Sequence, residues 1–436
     1  MPSHGAPTAK NASILIVGGG VFGLSSALQL SKNGYTNITV IDREAVPSPY
    51  SAGNDLNKIV RAEYEDPFYA KLALNAIKQW QTPFWAPYYK PTGYLVAISP
   101  DAPQKARDSL QKSLASIKND PAFKHGSFTA IGSAKDAKGC APMLNGNMEG
   151  WSGYFNRHAG YARAAKALEH AAKTCNEMGV KFVTGDNGYA VELQFRDELQ
   201  GRRICTGVKT TNGTIYQAAQ TILCLGAHIG TLLPEISYQV MAKAWSVAHI
   251  QLSAEEVEEM KDCPVVNCRD LGFFFEPDED TGLLKLSANG AGYTNYVTSP
   301  GFQEQISIPT PSVKGIPKED EELIKRLISN TMPKFSGRQL VNKFICWCGD
   351  TAESDFIIDF LPGVEGLMVA GGDSGHAFKM LPVVGEWVAN VIMEGEQSIT
   401  RWKWKDGKAS SDDISWRVGT VRDIKEAMSL NTRSQI

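Results

Sequence analysis

The stretch Ile14–Glu44, ILIVGGGVFGLSSALQLSKNGYTNITVIDRE, decides the fold of this chain. Four apolar, β-favouring residues lead into glycines spaced G-x-G-x-x-G, an amphipathic run follows, and a second apolar run stops at Asp42. Gly18 permits a tight turn, Gly20 lets the backbone approach a pyrophosphate, and Gly23 allows helix and strand to pack closely. The helix N-terminus would face the phosphates, and Asp42, 24 residues after Gly18, would accept from ribose hydroxyls. In this context we interpret the glycines as a dinucleotide-binding loop and not as a plain buried turn.

The composition of the chain excludes several classes of partner. With 436 residues, 21% charged and 43% apolar, the chain is typical of a globular protein of two or three domains. Its net charge of −3 gives no reason to expect nucleic acid or an anionic membrane as a partner. No apolar run reaches about 18 residues, so we expect no membrane span. The eight scattered cysteines favour a reducing compartment over a disulfide framework.

Both termini favour a cytoplasmic location. The first residues, MPSHGAPTAKNAS, lack the apolar core of a signal peptide. The last four residues, Arg433-Ser434-Gln435-Ile436, are not a peroxisomal address of the Ser-Lys-Leu type. We therefore predict a cytoplasmic protein.

Beyond Asp42 the chain alternates between helical and strand-like patterns. Asp66 is a good N-cap for a helix that follows it, and Val191–Phe195 with Ile204–Thr210 predicts a hairpin. The apolar run Gln220–Ala227 is either the last strand of the nucleotide-binding sheet or any other buried strand. From Ala242 to Tyr296 the pattern is β-rich, which favours an antiparallel sheet in a second domain.

Together these patterns predict an α/β plus β fold. A Rossmann-like dinucleotide-binding domain would occur in separated pieces, with an inserted antiparallel-sheet domain for the substrate. The predicted ranges are 1–85, 150–235 and 340–400 for the nucleotide-binding domain, 86–149 and 236–339 for the substrate domain, and 401–436 for a C-terminal tail. We expect a ligand cleft where the two domains meet.

Several residues in unusual settings are candidates for chemistry. Lys285 lies between Leu284 and Leu286, and a lysine there is costly to bury unless it is functional, paired or snorkelling from a sheet edge. Cys346 and Cys348 lie on one side of an extended run, either as functional groups or as two buried thiols. A zinc site would need further closely spaced ligands, which the sequence lacks, so we predict no metal.

Two cationic residues are candidates for binding a carboxylate. Arg61 offers a bidentate fork, and Lys379 adds a point charge. The alternative for Arg61 is a surface salt bridge with Glu63 or Glu65. His376 lies in a glycine-rich run, where a lone histidine is more often structural than functional.

Five motifs recur in the same order in a known family. They are the Gly18 loop, NKIVR at 57–61, GLLKL at 282–286, CWCGDTAESDFIID at 346–359 and GDSGHAFKMLPVVG at 372–385. Over residues 13–400 the chain resembles the flavin-dependent amine oxidases that include monomeric sarcosine oxidase, fungal pipecolate and saccharopine oxidases, and fructosyl amino acid oxidases (amadoriases). The resemblance implies an FAD-binding domain and an antiparallel substrate domain in a monomer that acts on a small amino acid with oxygen.

The resemblance also implies roles for single residues. Cys346 matches the position that forms a thioether to the flavin, with Cys348 as the alternative. Lys285 matches the lysine that activates oxygen, where a fixed positive charge stabilises superoxide. Lys58 and His376 match residues that border the flavin. The full set implied for the cofactor is Gly18, Gly20, Val21, Phe22, Gly23, Asp42, Arg43, Ser51, Asn57, Lys58, Gly226, Ala227, Cys346, Asp373, Ser374, Gly375, His376, Phe378 and Lys379.

The substrate expected from the resemblance is a secondary amino acid. Arg61 and Lys379 match the residues that hold a substrate carboxylate in sarcosine-oxidase-like members. Amadoriases carry a glutamate where this chain has Asn289, and those we know lack an arginine at the Arg61 position. Both departures favour an N-alkyl or cyclic amino acid, such as sarcosine, an N-methyl amino acid, pipecolate or saccharopine, over a sugar amine. In favour of the amadoriase alternative, Arg417 resembles their tail arginine for a substrate carboxylate.

The implied reaction is the oxidation of the carbon next to nitrogen, giving an imine and hydrogen peroxide. Two other classes stay open. One is a dehydrogenase that passes electrons to a carrier protein, and the other is a non-enzymatic protein that binds FAD or a nicotinamide cofactor.

Overall fold

The computed structural model describes residues 8–123, 126–198, 203–299, 302, 304–310, 313–405 and 417–433, the last four without their side chains. The helices are α1 (Val21–Lys32), α2 (Pro67–Trp80), α3 (Gln104–Ile117), α4 (Ala134–Cys140), α5 (Ala164–Glu177), α6 (Ile229–Leu232), α7 (Ala254–Glu259), α8 (Lys318–Thr331), α9 (Val384–Glu394) and α10 (Ile424–Arg433). The strands are β1 (Ile14–Val17), β2 (Ile38–Ile41), β3 (Asn57–Val60), β4 (Tyr89–Lys90), β5 (Tyr94–Ile98), β6 (Phe128–Ile131), β7 (Ser152–Asn156), β8 (Gly160–Arg163), β9 (Lys181–Val183), β10 (Ala190–Asp197), β11 (Arg203–Thr210), β12 (Ile215–Gln217), β13 (Gln220–Leu223), β14 (Met241–Gln251), β15 (Val265–Cys268), β16 (Gly272–Phe274), β17 (Leu283–Ala288), β18 (Tyr293–Thr294), β19 (Tyr296–Thr298), β20 (Gln305–Ser307), β21 (Val341–Asp350), β22 (Ile357–Phe360), β23 (Val364–Glu365), β24 (Leu367–Gly371) and β25 (Arg422–Asp423).

The first sheet confirms the predicted nucleotide-binding unit. Its six strands run in the order β22–β24–β13–β1–β2–β9, and all neighbours are parallel except β22 and β24. The central strand β1 is fully buried and continues through the glycine loop into α1, which packs against α5 and α9. Strand β13 lies inside this sheet, between β1 and β24, so the apolar run from Gln220 belongs to it.

Two glycines of the loop are required by close backbone approach. Gly18 has φ +106°, and a Cβ atom there would lie 2.4 Å from the carbonyl oxygen of Cys224. A Cβ atom on Gly23 would lie 1.9 Å from the carbonyl oxygen of Gly18. Neither obstacle is a side chain that could move aside, so a larger residue at either position would displace the loop.

The second sheet confirms the predicted antiparallel-sheet region. Its ten strands follow the order β25–β18–β14–β17–β16–β15–β5–β7–β6, with β21 also paired to β14. Neighbours are antiparallel except β5 with β15 and β18 with β25. Strands β7 and β21 come from ranges that the sequence assigns to the nucleotide-binding domain, yet they pair in this sheet. The domain boundaries themselves stay a prediction.

Three smaller features complete the frame. Strands β10 and β11 form the predicted antiparallel hairpin. The side chain of Asp66 accepts a hydrogen bond from the Phe68 amide at 2.9 Å, which confirms the predicted cap of α2. Strand β3 pairs with β8, and β8 pairs with β4, in a three-stranded sheet that carries Asn57 and Lys58. In the described ranges no helix is long and apolar enough to cross a bilayer.

Candidate active site

One cavity of about 520 Å³ is lined by every residue predicted for catalysis or substrate binding. It lies among β3, β17, β21, the glycine-rich segment after β24 and the segment that begins at Arg417. The predicted site residues that line it are Lys58, Arg61, Lys285, Asn289, Cys346, Gly375, His376, Phe378, Lys379 and Arg417. The fold thus brings together residues from five separate parts of the sequence.

Lys285 is held by a buried carboxylate that the sequence analysis did not assign. Its side chain is 2% exposed, and Nζ donates to Asp55 Oδ2 at 2.5 Å and to the Asn57 carbonyl at 2.8 Å. Lys58 Nζ contacts the same carboxylate oxygen at 2.9 Å. Since β17 lies between β14 and β16, Lys285 is not a lysine snorkelling from a sheet edge. The arrangement is a charge triad in which one carboxylate serves two ammonium groups.

The pKa values of the two lysines in this triad shift in opposite directions. Burial lowers the pKa of Lys285 to about 8, although Asp55 opposes this effect. For Lys58 burial acts in the same direction, but Asp55 and the neighbouring Cys346 together outweigh it and raise the pKa. Burial alone would raise the pKa of Asp55, but the two ammonium groups outweigh burial and hold this pKa below its ordinary value. At neutral pH the triad therefore carries one net positive charge.

The two neighbouring cysteines are chemically distinct. Cys346 is partly exposed in the cavity, with Sγ 3.9 Å from Lys58 Nζ, whereas Cys348 is buried. Cys348 donates its thiol hydrogen to Cys346. This hydrogen bond and the positive charge of Lys58 lower the pKa of Cys346 below its ordinary value, although burial acts in the opposite direction. The same hydrogen bond and burial raise the pKa of Cys348. Because the thiolate is the reactive form, Cys346 is the more nucleophilic of the pair.

His376 is buried in a neutral form that its partners define. Its Nε2 lies 2.8 Å from the Ser354 carbonyl oxygen, so this nitrogen donates, and Nδ1 accepts from the Tyr64 hydroxyl at 3.1 Å. Burial and the nearby Lys379 lower the pKa of His376 well below its ordinary value. The ring also stacks on Phe356, with centroids 4.9 Å apart. The histidine therefore acts as a neutral anchor for Tyr64.

Tyr64 in turn positions Lys379. Lys379 Nζ donates to the Tyr64 hydroxyl and to the His376 carbonyl, both at 2.9 Å, and the lysine is 5% exposed. Burial and the neighbouring Arg61 lower the pKa of Lys379 well below its ordinary value. A negative ligand group beside Lys379 and Arg61 would oppose both effects.

Arg61 is a partly buried cation that holds an unpaired donor in the cavity. Its Nη1 is buried without a hydrogen-bond partner in the described part of the chain. Its Cζ lies 5.4 Å from the centre of the Tyr64 ring and 5.7 Å from that of Tyr94. Glu63 instead accepts from Asn156 at 2.7 Å, so no salt bridge of Arg61 with Glu63 is formed.

Two further candidates for the substrate line the same cavity. Asn289 donates through Nδ2 to Asn267 Oδ1 and the Cys268 carbonyl, each at 2.9 Å. Arg417 is bound to Asp350 and donates to the Ser374 carbonyl at 3.1 Å. Its guanidinium also lies 4.3 Å from the Trp245 ring. Their roles in binding a substrate stay predictions.

The residues predicted to bind the dinucleotide lie at one edge of the first sheet. Gly18, Asp42, the Cys224–Gly226 turn and Gly372–Gly375 each follow the carboxyl end of a parallel strand, where such sheets bind ligands. They do not line the cavity itself, apart from Gly375. No side chain caps the N-terminus of α1, so its amides stay available to a phosphate.

Several of these positions fit a large cofactor. A Cβ atom on Gly226 or Gly371 would meet no atom within 4 Å, so there is space beside both backbones. The Asn57 Oδ1 atom is buried without a partner in the described ranges. Asp42 accepts from the Gly19 amide at 2.8 Å, and Arg43 stacks on Tyr50 at 3.4 Å. Ser51 Oγ accepts from the Gly53 amide at 3.2 Å.

The glycine-rich segment after β24 is fixed by its own polar groups. Asp373 accepts from the amides of Gly349 at 2.7 Å and Gly375 at 3.0 Å. Ser374 has φ +45° and binds Thr351 through Oγ. Phe378 stacks on Trp80 with centroids 6.1 Å apart. These contacts hold the segment, and with it His376 and Lys379, against β21.

Sequence reasoning missed three residues of the site. Asp55 lies three positions before Lys58, and Tyr64 lies three positions after Arg61. This closeness to identified residues was the only feature of the sequence that indicated them. Arg269, which lines the cavity, follows β15 in an ordinary polar turn and carries no such signal. Among the described residues no group of three or more histidine, cysteine or acidic side chains is placed to hold a metal.

Comparisons with known proteins agree with this arrangement. Residues 13–391 match the family described as "DAO: FAD dependent oxidoreductase". L-saccharopine oxidase from Schizosaccharomyces pombe is 36% identical over 433 residues, which cover 95% of this chain and 98% of that protein. Monomeric sarcosine oxidase from Bacillus sp. is 23% identical over 402 residues, which cover 88% and 92%. The crystal structure of fructosamine oxidase from Aspergillus fumigatus (Amadoriase II) in complex with FSA matches with a TM-score of 0.87 at 36% identity, covering 96% of this chain and 97% of that one.

Proposed function

Because this chain belongs to the family of FAD-dependent oxidoreductases, we propose that it is an oxidase of a secondary amino acid, N-alkyl or cyclic. The observation that carries the proposal is a pair of basic groups, the partly buried Arg61 guanidinium and the buried Lys379 amine. They form no salt bridge in the described ranges and line one cavity with Lys285 and Cys346. Such a pair matches the carboxylate of an amino acid.

The cations of the cavity also select the reactive form of the substrate. The carboxylate would lie between Arg61 and Lys379, where Tyr64 contacts both residues. A protonated substrate amine would add a further positive charge to this cationic site, so binding favours the neutral amine. The unprotonated amine is the form of the substrate that can be oxidised at the carbon next to nitrogen.

The residues present fit the FAD that the family uses. Gly18, Gly20, Gly23 and the N-terminus of α1 would hold the pyrophosphate, and Asp42 the ribose. Lys58, Cys346 and the segment Asp373–Lys379 would hold the ring. When bound, the flavin accepts two electrons from the amine and passes them to oxygen, so that amine and O₂ give imine and hydrogen peroxide.

The roles of the other residues follow from their positions. Lys285 would supply a fixed positive charge where negative charge develops on oxygen. His376 would fix Tyr64, and Tyr64 would fix Lys379. Water then hydrolyses the released imine, giving a carbonyl compound and a smaller amine from an N-alkyl substrate and a single ring-opened amino carbonyl compound from a cyclic one. A cytoplasmic monomer remains the expectation from the sequence.

We propose in addition that the flavin is covalently attached through Cys346. The partial exposure of Cys346 in the cavity, its lowered pKa and its contact with Lys58 support this residue over the buried Cys348.

Cys346→Ala is therefore expected to remove covalent flavin. Acid-precipitated wild-type protein should stay yellow, and the pellet of Cys346→Ala should be colourless, with the flavin recovered in the supernatant. Cys348→Ala, and Cys140→Ala as a partly exposed thiol elsewhere, should both give yellow pellets. A yellow Cys346→Ala pellet would assign the attachment to another residue.

A fructosyl amino acid oxidase is the second candidate function. The similarity to Amadoriase II and the position of Arg417 in the cavity favour it. The amide of Asn289, in place of an acid, and the cation Arg61 oppose it. The two candidates differ in whether the amine carries a sugar.

Peroxide release against a panel of amines tests the proposed function. The panel contains sarcosine, L-pipecolate, L-saccharopine, an N-methyl aromatic amino acid, fructosyl-valine and fructosyl-lysine. We expect turnover of one or more unglycated amines and none of the fructosyl compounds. Turnover of the fructosyl compounds alone would establish the second candidate, and absence of peroxide with every amine would contradict both.

A further inference from the structure

Arg269 is a cation of the cavity that the proposed reaction does not use. It follows β15 and lines the cavity together with Arg61 and Lys379. Its Nη1 donates to Ser109 Oγ at 2.8 Å and its Nη2 to Ser113 Oγ at 3.1 Å. Each terminal nitrogen keeps a second N–H, because a guanidinium carries two on each. Nε is also buried without a hydrogen-bond partner in the described ranges. The serines therefore fix the guanidinium and leave donors for a further acceptor.

The three cations form a connected row. Lys379 Nζ binds the Tyr64 hydroxyl at 2.9 Å, and Arg61 Cζ lies 5.4 Å from the Tyr64 ring. Arg61 Cζ also lies 5.7 Å from the Tyr94 ring. Burial raises the pKa of the Tyr94 hydroxyl, and the positive charges of Arg61 and Arg269 both oppose this rise. Tyr94 thus lies near both guanidinium groups.

These three basic residues lack the direct ion pairs that the other basic residues of the cavity form. Lys58 and Lys285 share Asp55, and Arg417 is bound to Asp350. In the described part of the chain, no salt bridge of Arg61, Arg269 or Lys379 is formed.

The acidic residues at the cavity form no direct ion pair with these three basic residues in the described ranges, although Glu63 acts on Arg61 and Lys379 through space and Glu65 shares Ser109 with Arg269. Glu63 accepts from Asn156 at 2.7 Å and Glu65 from Ser109 at 2.6 Å. Asp66 pairs with Arg401 at 2.7 Å, and Glu353 pairs with Lys405. A ligand with one carboxylate would contact Arg61 and Lys379 but would leave the free N–H donors of Arg269 without an acceptor.

We propose that Arg269 binds a second carboxylate of the substrate. This inference rests on the proposed function and narrows its substrate class to N-substituted amino acids with a second carboxylate on a short aliphatic arm. The first carboxylate lies between Arg61 and Lys379, and the second meets the fork of Arg269, with Ser109 and Ser113 as positioning residues. Fork-to-carboxylate pairing is directional, so this contact also fixes the orientation of the arm.

A pair of substrates that differ only in charge tests this inference. N-methyl-L-glutamate and N-methyl-L-glutamine have the same length, but only the first carries the second carboxylate. In the wild-type holoenzyme kcat/KM should favour N-methyl-L-glutamate by about ten- to hundredfold, the effect of one hydrogen bond to a charged group. Equal kcat/KM values for the two would overturn the inference.

Variants at Arg269 separate binding from folding. Arg269→Gln should reduce the preference to near unity by lowering kcat/KM for N-methyl-L-glutamate alone, and Arg269→Lys should retain part of it. The control Arg326→Gln removes an exposed arginine, whose contact with Asp101 is 3.5 Å long, and should leave the preference unchanged. An equal loss with both substrates in Arg269→Gln and Arg269→Lys would mean that Arg269 is only structural, and it would overturn the inference.

A binding measurement distinguishes failure of the inference from failure of the proposed function. In calorimetric titrations of the wild-type holoenzyme, glutarate should bind more tightly than its monoamide, glutaramate, and Arg269→Gln should abolish the difference. If no amine is oxidised, the proposed function fails, while this titration still decides the carboxylate site. Equal affinity for the two compounds would overturn the inference even in an active enzyme.

Discussion

Replacing Lys285 by methionine is expected to slow reoxidation of the reduced enzyme by oxygen about a thousandfold. A unit charge at about 4 Å in a partly screened site contributes about 4 kcal/mol, which corresponds to that factor. The charge acts only after the electrons reach oxygen, so anaerobic reduction by the substrate should change by no more than a few-fold. Stopped-flow absorbance measures the two half-reactions separately.

The geometry makes this substitution a clean one. In Lys285→Met the Asp55 carboxylate keeps Lys58 as its partner at 2.9 Å, so no buried charge is left alone. Methionine also preserves most of the volume of the lysine side chain. Lys334→Met, at an exposed lysine, is the control. Equal slowing of both half-reactions would rule out a specific role in the oxygen reaction.

The same experiment has a pH dependence with a defined sign. Burial lowers the pKa of Lys285 to about 8, with Asp55 opposing, so the ammonium form is lost as pH rises through that value. The rate of reoxidation should fall over this range in the wild type and stay flat in Lys285→Met. Lys58 stays charged there, because Asp55 and the neighbouring Cys346 together outweigh burial and raise its pKa.

The nucleotide-binding unit could be predicted because its information is local. The spacing of Gly18, Gly20 and Gly23 reflects contacts between adjacent elements, and the acid at the end of β2 follows at a regular distance. The backbone approach at Gly18 and Gly23 is the physical reason for that spacing. Periodicity also identified the hairpin of β10 and β11.

The charge pattern of the cavity could be predicted only in part. An isolated lysine in an apolar strand marks Lys285, but its partner Asp55 lies 230 residues earlier in the chain. No spacing rule connects them, because the pairing arises when β17 packs near the segment before β3. Arg269 illustrates the same limit, since its importance comes from Arg61 and Lys379, which are distant in sequence.

The alternatives that the sequence left open were decided by packing. One alternative was a surface salt bridge with Glu63 or Glu65. Instead, Lys58 pairs with Asp55 at 2.9 Å, and Glu65 accepts a hydrogen bond from Ser109 at 2.6 Å. Lys285 lies in the middle of the second sheet and not at its edge. The side-chain environment, which the linear pattern does not contain, determined each of these outcomes.

Asp55→Asn is expected to lower the free energy of unfolding by about 3–5 kcal/mol, the usual cost of removing one partner from a buried ion pair. Asparagine has nearly the same shape but no charge, so Lys58 and Lys285 would share a buried site without their carboxylate. The ammonium groups hold the pKa of Asp55 below its ordinary value against the effect of burial. The stabilisation is therefore fully present above the pKa of an unfolded aspartate, about 4, and is lost only as pH falls through the depressed value.

The matched control for Asp55→Asn is Asp280→Asn. Asp280 also serves two cations, Arg163 at 2.7 Å and Lys166, but its side chain is 54% exposed. Water and salt screen such a pair, so Asp280→Asn should change the unfolding curve little. Urea unfolding at pH 7, followed by tryptophan fluorescence at equal flavin content, compares the two variants. A loss in Asp55→Asn no larger than in Asp280→Asn would mean that the buried carboxylate does not hold the two lysines together, and the pH dependence expected for Lys285 would then lose its physical basis.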